Sequence, residues 1–340
     1  MPPSFDVVAI KFNHNTGSTS SDGINLYDSL NNQNITAPEW KYYLGDNWNK
    51  KFGYIKDTVP IIQAQFFCET DEQNFDTLEI EADWNDGEHF WVVTDTTVVF
   101  ADSLTSFINF HASTVPTSVG KRTIGWTWRI TKVDGESQSP PKVLGYTDHD
   151  YYTVLANPQS PMSTPWTEVL DYACDWASGE NMSSMIVDKI TLNSYYTGFK
   201  NYNSQISHCD TASTGQVSLN LTNLLSGTNA DCKDMAAVVQ VFSNAIGVSG
   251  VYMKRISGSF NTQSIDPIGT TNPDGWFNLQ WNYHQVGWYS SSVYDSCLRL
   301  DQDSPRVPRG EDIDDEYKDD LYSSGTWNVN TGTAYISTLN

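Results

Sequence analysis

The first part of the chain alternates apolar and polar residues in the manner of β-strands. Between residues 78 and 84 every second residue is apolar and the residues between them are acidic, which predicts a strand with one buried and one solvated face. Asn85-Asp86-Gly87 follows this strand and is a typical hairpin turn before a strand that begins at Phe90. Further strand-length segments occur at 59–67, 108–112 and 124–130. We therefore expect an antiparallel β-sandwich in this part of the chain.

Proline-containing breaks at 137–141 and 157–161 separate this part from the rest of the chain. Before them, residues 15–50 are rich in Asn, Ser and Gly, a composition that predicts long loops. We expect residues 1–157 to form an Ig-like β-sandwich that serves as an accessory or binding domain. Residues 158–340 are then expected to form a second domain.

Helical periodicity replaces strand alternation after the boundary. Thr164 is the predicted cap of a helix that runs to Trp176, with Pro165 at its first position. A second predicted helix runs from 231 to 246 and is closed by Gly247. Strand-like segments follow at 250–256, 276–288 and 293–300. Helices followed by antiparallel strands predict an α+β domain, so the whole chain is predicted to be α+β.

The composition is that of a folded and strongly acidic protein. Its 340 residues include 12 Trp, 18 Tyr and 14 Phe, which supply large side chains for a core. The formal net charge of −22 argues against nucleic-acid binding, because no basic stripe is present to displace counterions. No segment has the ~20 consecutive apolar residues of a membrane span, and the first residues lack a signal-peptide pattern. The low lysine content and the abundance of Ser, Thr, Asn and aromatic residues favour an extracellular or particle-associated protein.

Five cysteines are present, and their spacing matches no zinc or redox motif. The odd number leaves at least one thiol unpaired, while the other four form up to two disulfides or remain thiols. Asp148-His149-Asp150 carries metal-ligating side chains, but a solvated loop is the favoured interpretation. The acidic run 311–320 lacks the spacing of a calcium loop and is interpreted as an acidic helix or surface segment. We expect neither a metal nor a cofactor.

Cys232 stands at the start of the second predicted helix, a position that favours a reactive thiol. A helix amino terminus presents N–H groups and the positive end of the helix dipole, and both favour a thiolate. The same N–H groups can stabilise an oxyanion that forms on a substrate carbonyl. A buried structural thiol is the alternative interpretation. We favour a nucleophile.

A histidine and an aspartate follow in the order that a cysteine nucleophile requires. His284 lies in a strand-like segment, and a short serine-rich connection leads to a second strand that carries Asp295. A hairpin of these strands would place the imidazole between the carboxylate and the thiol. Asp301 is the alternative orienting residue. The adjacent pair His208-Cys209 is interpreted as a coincidence within a loop.

The segment 229–236, Asn-Ala-Asp-Cys-Lys-Asp-Met-Ala, together with the helix ending in Ile-Gly, His284 and Tyr294-Asp295, resembles the transglutaminase-like superfamily of papain-like fold. The resemblance covers residues 160–300. It implies that Cys232 is the nucleophile, that His284 is the general base, and that Asp295 holds the imidazole.

The sequence departs from the family pattern at several positions. Ala230 stands where the family has Gly, Met235 replaces a second Lys, and no aromatic residue follows the histidine. The oxyanion-stabilising side chain of the family lies upstream of the cysteine, so the resemblance makes Tyr195 and Tyr196 candidates for that role.

Two classes of function are consistent with these features. The leading hypothesis is a cysteine-dependent acyl-transfer enzyme that acts on an amide or peptide bond of a protein or peptide substrate through a thioester. Release to water makes it a peptidase or amidase, and release to an amine makes it a transglutaminase. The alternative is a structural or adhesive component of an extracellular or particle assembly, which carries an inactive transglutaminase-like domain.

Overall fold

The computed structural model describes residues 5–12, 23–37, 39–42, 50–68, 77–85, 90–98, 103–210, 214–269, 278–300 and 306–340. Contacts between residues divide the chain into two compact units, Met1–Val154 and Leu155–Asn340. In the described residues every helix belongs to the second unit, and strands form several sheets in both. The predicted α+β class is therefore confirmed, while the role of the first unit as an accessory or binding domain stays a prediction.

Strands are the only elements of secondary structure named in the described part of the first unit. They are β1 (Phe5–Lys11), β2 (Leu26–Asp28), β3 (Gln33–Ile35), β4 (Glu39–Lys41), β5 (Phe52–Ile55), β6 (Ile61–Cys68), β7 (Leu78–Asn85), β8 (Phe90–Val98), β9 (Ile108–His111), β10 (Gly120–Val133) and β11 (Glu136–Val154). One sheet has the order β4-β1-β6-β9, a second has the order β5-β11-β10-β7-β8, and β2 and β3 form a hairpin. The pairing is antiparallel except between β5 and β11.

One hydrophobic core is shared by the two larger sheets of this unit. The ring of Phe66 on β6 lies 5.6 Å, centroid to centroid, from that of Trp128 on β10. Alternation along the strands produces this core, since residues at every second position of β7 and β10 are buried: Leu78, Ile80, Ala82, Ile124, Trp126, Trp128 and Ile130. The indole of Trp128 donates a hydrogen bond of 3.1 Å to Thr147, which satisfies its buried N–H.

Three predictions for this unit need correction or extend beyond the described residues. Residues 137–141 were expected to break the chain, but they belong to β11, and the turn lies earlier at Asp134-Gly135. Both turn residues have positive φ, 48° and 80°, as a tight two-residue hairpin requires. Where the region 15–50 is described it contains the short strands β2, β3 and β4 rather than loops alone. The predicted Asn85-Asp86-Gly87 turn extends beyond the described residues.

The second unit combines helices with a large sheet. Its helices are α1 (Thr167–Trp176), α2 (Ser183–Tyr196), α3 (Leu221–Ser226), α4 (Cys232–Ala245) and α5 (Glu316–Leu321). Its strands are β12 (Asn201–Tyr202), β13 (Gly215–Leu219), β14 (Asn229–Ala230), β15 (Tyr252–Thr262), β16 (Ile265–Pro267), β17 (Gln280–Tyr289), β18 (Ser292–Tyr294), β19 (Leu298–Leu300), β20 (Arg309–Glu311), β21 (Tyr322–Gly325), β22 (Asn328–Val329) and β23 (Ala334–Leu339). The main sheet has the order β13-β23-β15-β17-β18-β20, and β21 and β22 also pair with β15.

The helix that carries Cys232 is enclosed on all sides. All 14 residues of α4 are buried, because α1 and α2 pack against it together with strands of the main sheet. Gly287 on β17 permits the close approach of α4, since a Cβ there would lie 2.7 Å from Cγ1 of Val239.

The first helix begins later than its sequence signals indicate. The predicted Thr164 cap and Pro165 first turn are wrong, because α1 begins at Thr167 and its cap residue, Trp166, makes no side-chain capping hydrogen bond. In the described part of the chain, no helix combines the length and the apolar character that a membrane crossing demands.

His149 is a buried titratable residue of the first unit, not part of a solvated loop. It lies on β11 within the aromatic core, with ring centroids of Phe12 and Trp126 at 4.7 and 5.4 Å, whereas the neighbouring Asp148 is exposed on the other side of the strand. Burial lowers the pKa of His149 from 6.5 to about 3. The imidazole is consequently neutral in the folded protein across the physiological range.

This burial predicts acid sensitivity of the first unit. The folded-state pKa of His149 is below the unfolded value, so the unfolded chain takes up the proton first as the pH falls. Protonation of His149 therefore does not affect the free energy of unfolding above about pH 6.5. Below about pH 6 the free energy of unfolding should decline by about 1.4 kcal/mol for each pH unit. Urea unfolding of the full chain, followed by tryptophan fluorescence between pH 7 and pH 5, measures this slope.

The substitution His149→Phe should flatten the pH slope, because the aromatic core then contains no histidine to take up a proton between pH 7 and pH 5. The matched control is His111→Phe, which changes an exposed histidine on β9 of the same unit. If His149→Phe folds normally at pH 7 and its slope is unchanged, protonation of His149 is not the cause of the acid sensitivity.

Candidate active site

The helix that carries Cys232 begins with a capping box. Oδ1 of Asp231 accepts hydrogen bonds from the amides of Lys233 and Asp234, at 2.9 and 3.0 Å. In return, Oδ2 of Asp234 accepts a bond of 3.2 Å from the amide of Asp231. The first turn is thereby fixed, but these two helix amides are occupied. They are not available to an anion in the way that the sequence argument expected.

Asp234 also joins a neighbouring segment to this helix. Its Oδ1 accepts hydrogen bonds from the amides of His208 and Cys209, at 2.8 and 3.0 Å. Burial, and then the nearby Asp231 carboxylate, raise the pKa of Asp234 above its ordinary value. The His208-Cys209 pair therefore contributes backbone anchoring at this point, and burial raises the pKa of the Cys209 thiol well above 9.

Cys232 is the first residue of α4 and lines a cleft. Its exposed fraction is 6%, so the thiol is nearly buried but reaches the cleft surface. The Asp231 carboxylate opposes a thiolate at the next residue because the two charges have the same sign. Nζ of Lys233 lies 3.6 Å from Oδ2 of Asp231, and both side chains are almost completely buried, so the ammonium offsets that repulsion.

The hairpin of β17 and β18 brings His284 and Asp295 together. Ser290 and Ser291, both with positive φ, form its turn, and Gly287 pairs with Tyr294 immediately before Asp295. Nε2 of His284 lies 2.8 Å from Oδ2 of Asp295, and both side chains are 1% exposed. This is the arrangement that the order and spacing of the two residues predicted.

The His284 ring interacts with the Cys232 thiol as well as with Asp295. Nδ1 has no hydrogen-bond partner of ordinary geometry among the described residues, yet the Cys232 thiol interacts with the imidazole. Burial by itself lowers the pKa of His284, but the charge and hydrogen bond of Asp295 outweigh it, and Cys232 adds to the same effect. The pKa of His284 is raised from 6.5 to about 10, so the imidazole is protonated at neutral pH.

An aromatic residue covers the histidine on its cleft side. The rings of Trp281 and His284 stack with centroids 4.7 Å apart and an interplanar angle of 19°. An aromatic face attracts a cation, so the stack further favours the protonated imidazole. The cleft itself has a volume of about 330 Å³ and is lined by Tyr202, Ser204, Asp231, Cys232, Leu279, Gln280, Trp281, Asn282 and Tyr283.

Asp295 has two further partners, one of which the sequence argument missed. The hydroxyl of Tyr317 donates to Oδ2 of Asp295 at 2.7 Å, and the amide of Cys297 donates to Oδ1 at 2.8 Å. Tyr317 lies within the run that was interpreted as an acidic helix or surface segment. The run does contain a helix, α5, but Tyr317 is completely buried. The sequence does contain a pattern that predicts a buried face here, because Ile313, Tyr317 and Leu321 recur at four-residue spacing. All three are buried.

The upstream tyrosines differ in their position relative to the cleft. The hydroxyl of Tyr195 donates to the carbonyl of Asp266 at 2.9 Å, and Tyr196 is 54% exposed. Two other tyrosines line the cleft: Tyr202, which lies upstream of Cys232 and was not among the predicted candidates, and Tyr283, which lies downstream. Burial, and then Cys297 and Cys232, raise the pKa of Tyr202 above its ordinary value, so its hydroxyl keeps its proton. The alternative orienting residue Asp301 lies outside the described residues.

Within the described residues, no group of three or more His, Cys, Asp or Glu side chains has the geometry to hold a metal ion. All five cysteines are buried, and the three nearest the cleft or α4, namely Cys209, Cys232 and Cys297, are free thiols. No protein-family model matches the chain, and a search of curated proteins found no similar sequence. The resemblance to the transglutaminase-like superfamily therefore stays a prediction, carried by the motif residues and by the site geometry.

The site geometry predicts selective alkylation of Cys232. At about pH 6, iodoacetamide should label Cys232 much faster than Cys209, because protonated His284 would stabilise a thiolate at Cys232 whereas burial raises the pKa of the Cys209 thiol. The comparison is controlled for access, since the two residues are 6% and 7% exposed. Peptide mapping by mass spectrometry measures both rates. His284→Gln should slow the labelling of Cys232, and equal labelling of the two cysteines in the wild type would contradict a pairing of His284 with a Cys232 thiolate.

Proposed function

We propose that the second unit is a cysteine-dependent acyl-transfer enzyme that acts on amide or peptide bonds. The observation that carries the proposal is the buried 2.8 Å contact between Nε2 of His284 and Asp295, which leaves Nδ1 for the thiol of Cys232 at the start of α4. Each group has the position that nucleophilic catalysis requires: a nucleophile, a base, and a residue that orients the base.

The reaction begins from the thiolate–imidazolium pair. The sulfur of Cys232 attacks the carbonyl carbon of the substrate, forming a C–S bond and placing the π electrons on the carbonyl oxygen. As the C–N bond breaks, Nδ1 of His284 gives its proton to the leaving amine, and a thioester remains. Water or an acceptor amine then attacks the thioester while His284 accepts its proton, and the thiolate leaves.

Asp295 controls the orientation of the imidazole during both steps. Nε2–H donates to Oδ2 of Asp295, so the proton that moves is the one on Nδ1. The carboxylate is itself held at both oxygens by Tyr317 and by the amide of Cys297, so it cannot turn away from the ring. The charge on Asp295 also favours the imidazolium that the resting ion pair needs.

We further propose that Tyr202 and the amide of Cys232 stabilise the oxyanion. The amides of Lys233 and Asp234 are occupied by Asp231, whereas the first N–H of a helix has no intrahelical acceptor. Tyr202 pairs through β12 with Ala230 on β14, which holds it beside the start of α4. Its position upstream of the nucleophile agrees with the family that the motif resembles.

The papain-like, transglutaminase-like fold of residues 158–340 is part of the same proposal. Its support is the order of elements: a nucleophile at the start of a buried helix, then a histidine strand, then an aspartate after the next strand. The β-rich first unit is proposed to act as an accessory or binding domain. The protein or peptide substrate reaches the thiol through the cleft beside Trp281.

Substitution of the three site residues tests the proposal. Cys232→Ala and His284→Ala should each lower turnover by at least about 1000-fold, because nucleophile and base act as one unit. Asp295→Asn should lower turnover less, by about 100-fold, because it changes only the charge beside the imidazole and the orientation of the ring. Turnover is measured on peptide and glutamine-amide substrates with and without a primary amine, so that hydrolysis and transfer are distinguished.

Thermal melting of each variant separates loss of chemistry from loss of fold. Ser243→Ala is a matched control, since it removes a buried hydroxyl from the far end of α4. If the wild type shows no turnover and Cys232→Ala alters only melting or assembly, the structural or adhesive alternative is supported instead. Retained turnover in Cys232→Ala would place the chemistry elsewhere.

Loss of one hydroxyl tests the oxyanion assignment. Tyr202→Phe should lower kcat about 100-fold with little change in KM, because the hydroxyl is needed where charge develops rather than for substrate binding. Tyr196→Phe is the control, since that side chain is exposed and does not line the cleft. An equal kcat for Tyr202→Phe and wild type would mean that the Tyr202 hydroxyl does not stabilise the oxyanion.

A further inference from the structure

Two side chains share one oxygen of the buried carboxylate. Oδ2 of Asp295 lies 2.8 Å from Nε2 of His284 and 2.7 Å from the hydroxyl of Tyr317. The Tyr317 side chain is fully buried, as are the histidine and the aspartate. Tyr317 reaches this position from α5, a helix that follows the histidine–aspartate hairpin along the chain.

We propose that Tyr317 is a positioning residue that limits how strongly His284 holds its proton. By donating to Oδ2 it draws negative charge from the oxygen that His284 uses, so the imidazolium is stabilised less than it would be by an otherwise unshared carboxylate. This inference rests on the proposed function, because only a base that releases its proton can serve the leaving amine.

The hydroxyl of Tyr317 acts only as a donor here. Burial, and then the Asp295 carboxylate, raise the pKa of Tyr317 well above 10, so the phenol stays protonated. The other titratable groups that influence it are Glu311 on β20 and Cys297. Neither is a hydrogen-bond partner of Nε2 of His284, so neither replaces the hydroxyl in this role.

Proton balance explains why such a residue is needed. Burial alone disfavours the imidazolium, whereas Asp295 and the Cys232 thiol favour it strongly enough to reverse that effect. A base with too high a proton affinity transfers its proton slowly to the leaving group. The tyrosine hydrogen bond moderates the aspartate without removing its charge, and it fixes the plane of the carboxylate together with the amide of Cys297.

The pKa of His284 is the direct readout, and it is independent of turnover. The full chain with Cys232→Ala, labelled with ¹³C histidine, is titrated by NMR with and without Tyr317→Phe. Removal of the hydroxyl should raise the pKa of His284 by about 1, since a charge-assisted hydrogen bond to Asp295 is lost. An unchanged or lowered pKa would overturn the inference.

Tyr322→Phe is the matched control, at the residue that directly follows α5. Tyr322 caps α5, and its hydroxyl donates to the carbonyl of Gly325 at 2.6 Å rather than to the site. Added to the Cys232→Ala chain, Tyr322→Phe should leave the pKa of His284 unchanged. A shift equal to that of Tyr317→Phe would mean that disturbance of α5, not the hydrogen bond, is responsible, and would overturn the inference.

A second substitution keeps the test valid if Tyr317→Phe does not fold. Site-specific 3-fluorotyrosine at 317 retains the ring and hydroxyl but makes the phenol a stronger donor, so the pKa of His284 should fall. A rise or no change contradicts the proposed role. The two proposals fail separately: absent turnover in the wild type counts against the enzyme, whereas an unresponsive His284 pKa counts against Tyr317 alone.

Discussion

The second unit depends on the stabilisation of one buried carboxylate. Asp295 is 1% exposed, and an ionised carboxylate in such a place is very costly unless its oxygens are fully used. The chain supplies three donors from three different places: His284 on β17, the amide of Cys297, and the hydroxyl of Tyr317 on α5. Removal of any one leaves a buried charge short of a partner, so the same contacts that orient the imidazole also hold these elements together.

Near Cys232, buried carboxylates are likewise stabilised by hydrogen-bond donors. Asp231 and Asp234 are nearly buried, and their oxygens accept backbone amides of the helix and of the segment at 208–209. Lys233 lies beside Asp231 and balances its charge. The acidic residues of the motif thus serve first to build the start of α4. Their negative charge opposes a thiolate at Cys232, so the proposed ion pair depends on the imidazolium of His284.

Each unit contains a buried histidine, and the pKa values of the two histidines are shifted in opposite directions. His149 in the first unit is surrounded by aromatic rings, and burial lowers its pKa to about 3, so it is neutral. His284 in the second unit is equally buried but faces Asp295, and its pKa is raised to about 10. The difference lies in the presence of a carboxylate partner, since desolvation acts in the same direction on both rings.

Periodicity and local motifs determined the α+β class, five of the eleven strands described in the first unit, the helix that begins at Cys232, and the pairing of His284 with Asp295. These features depend on residues close in sequence: alternation along a strand, a capping box within one turn, and a short hairpin. The start of α1 and the break at 137–141 were wrong because proline and threonine signals are weak beside long strand pairing and helix packing. The burial of α4 on every side, the choice of Tyr202 over Tyr195 for the cleft, and the contact of Tyr317 with Asp295 were decided only by the tertiary structure. Each depends on elements far apart along the chain, whose meeting is set by the packing of the whole unit and leaves no local pattern.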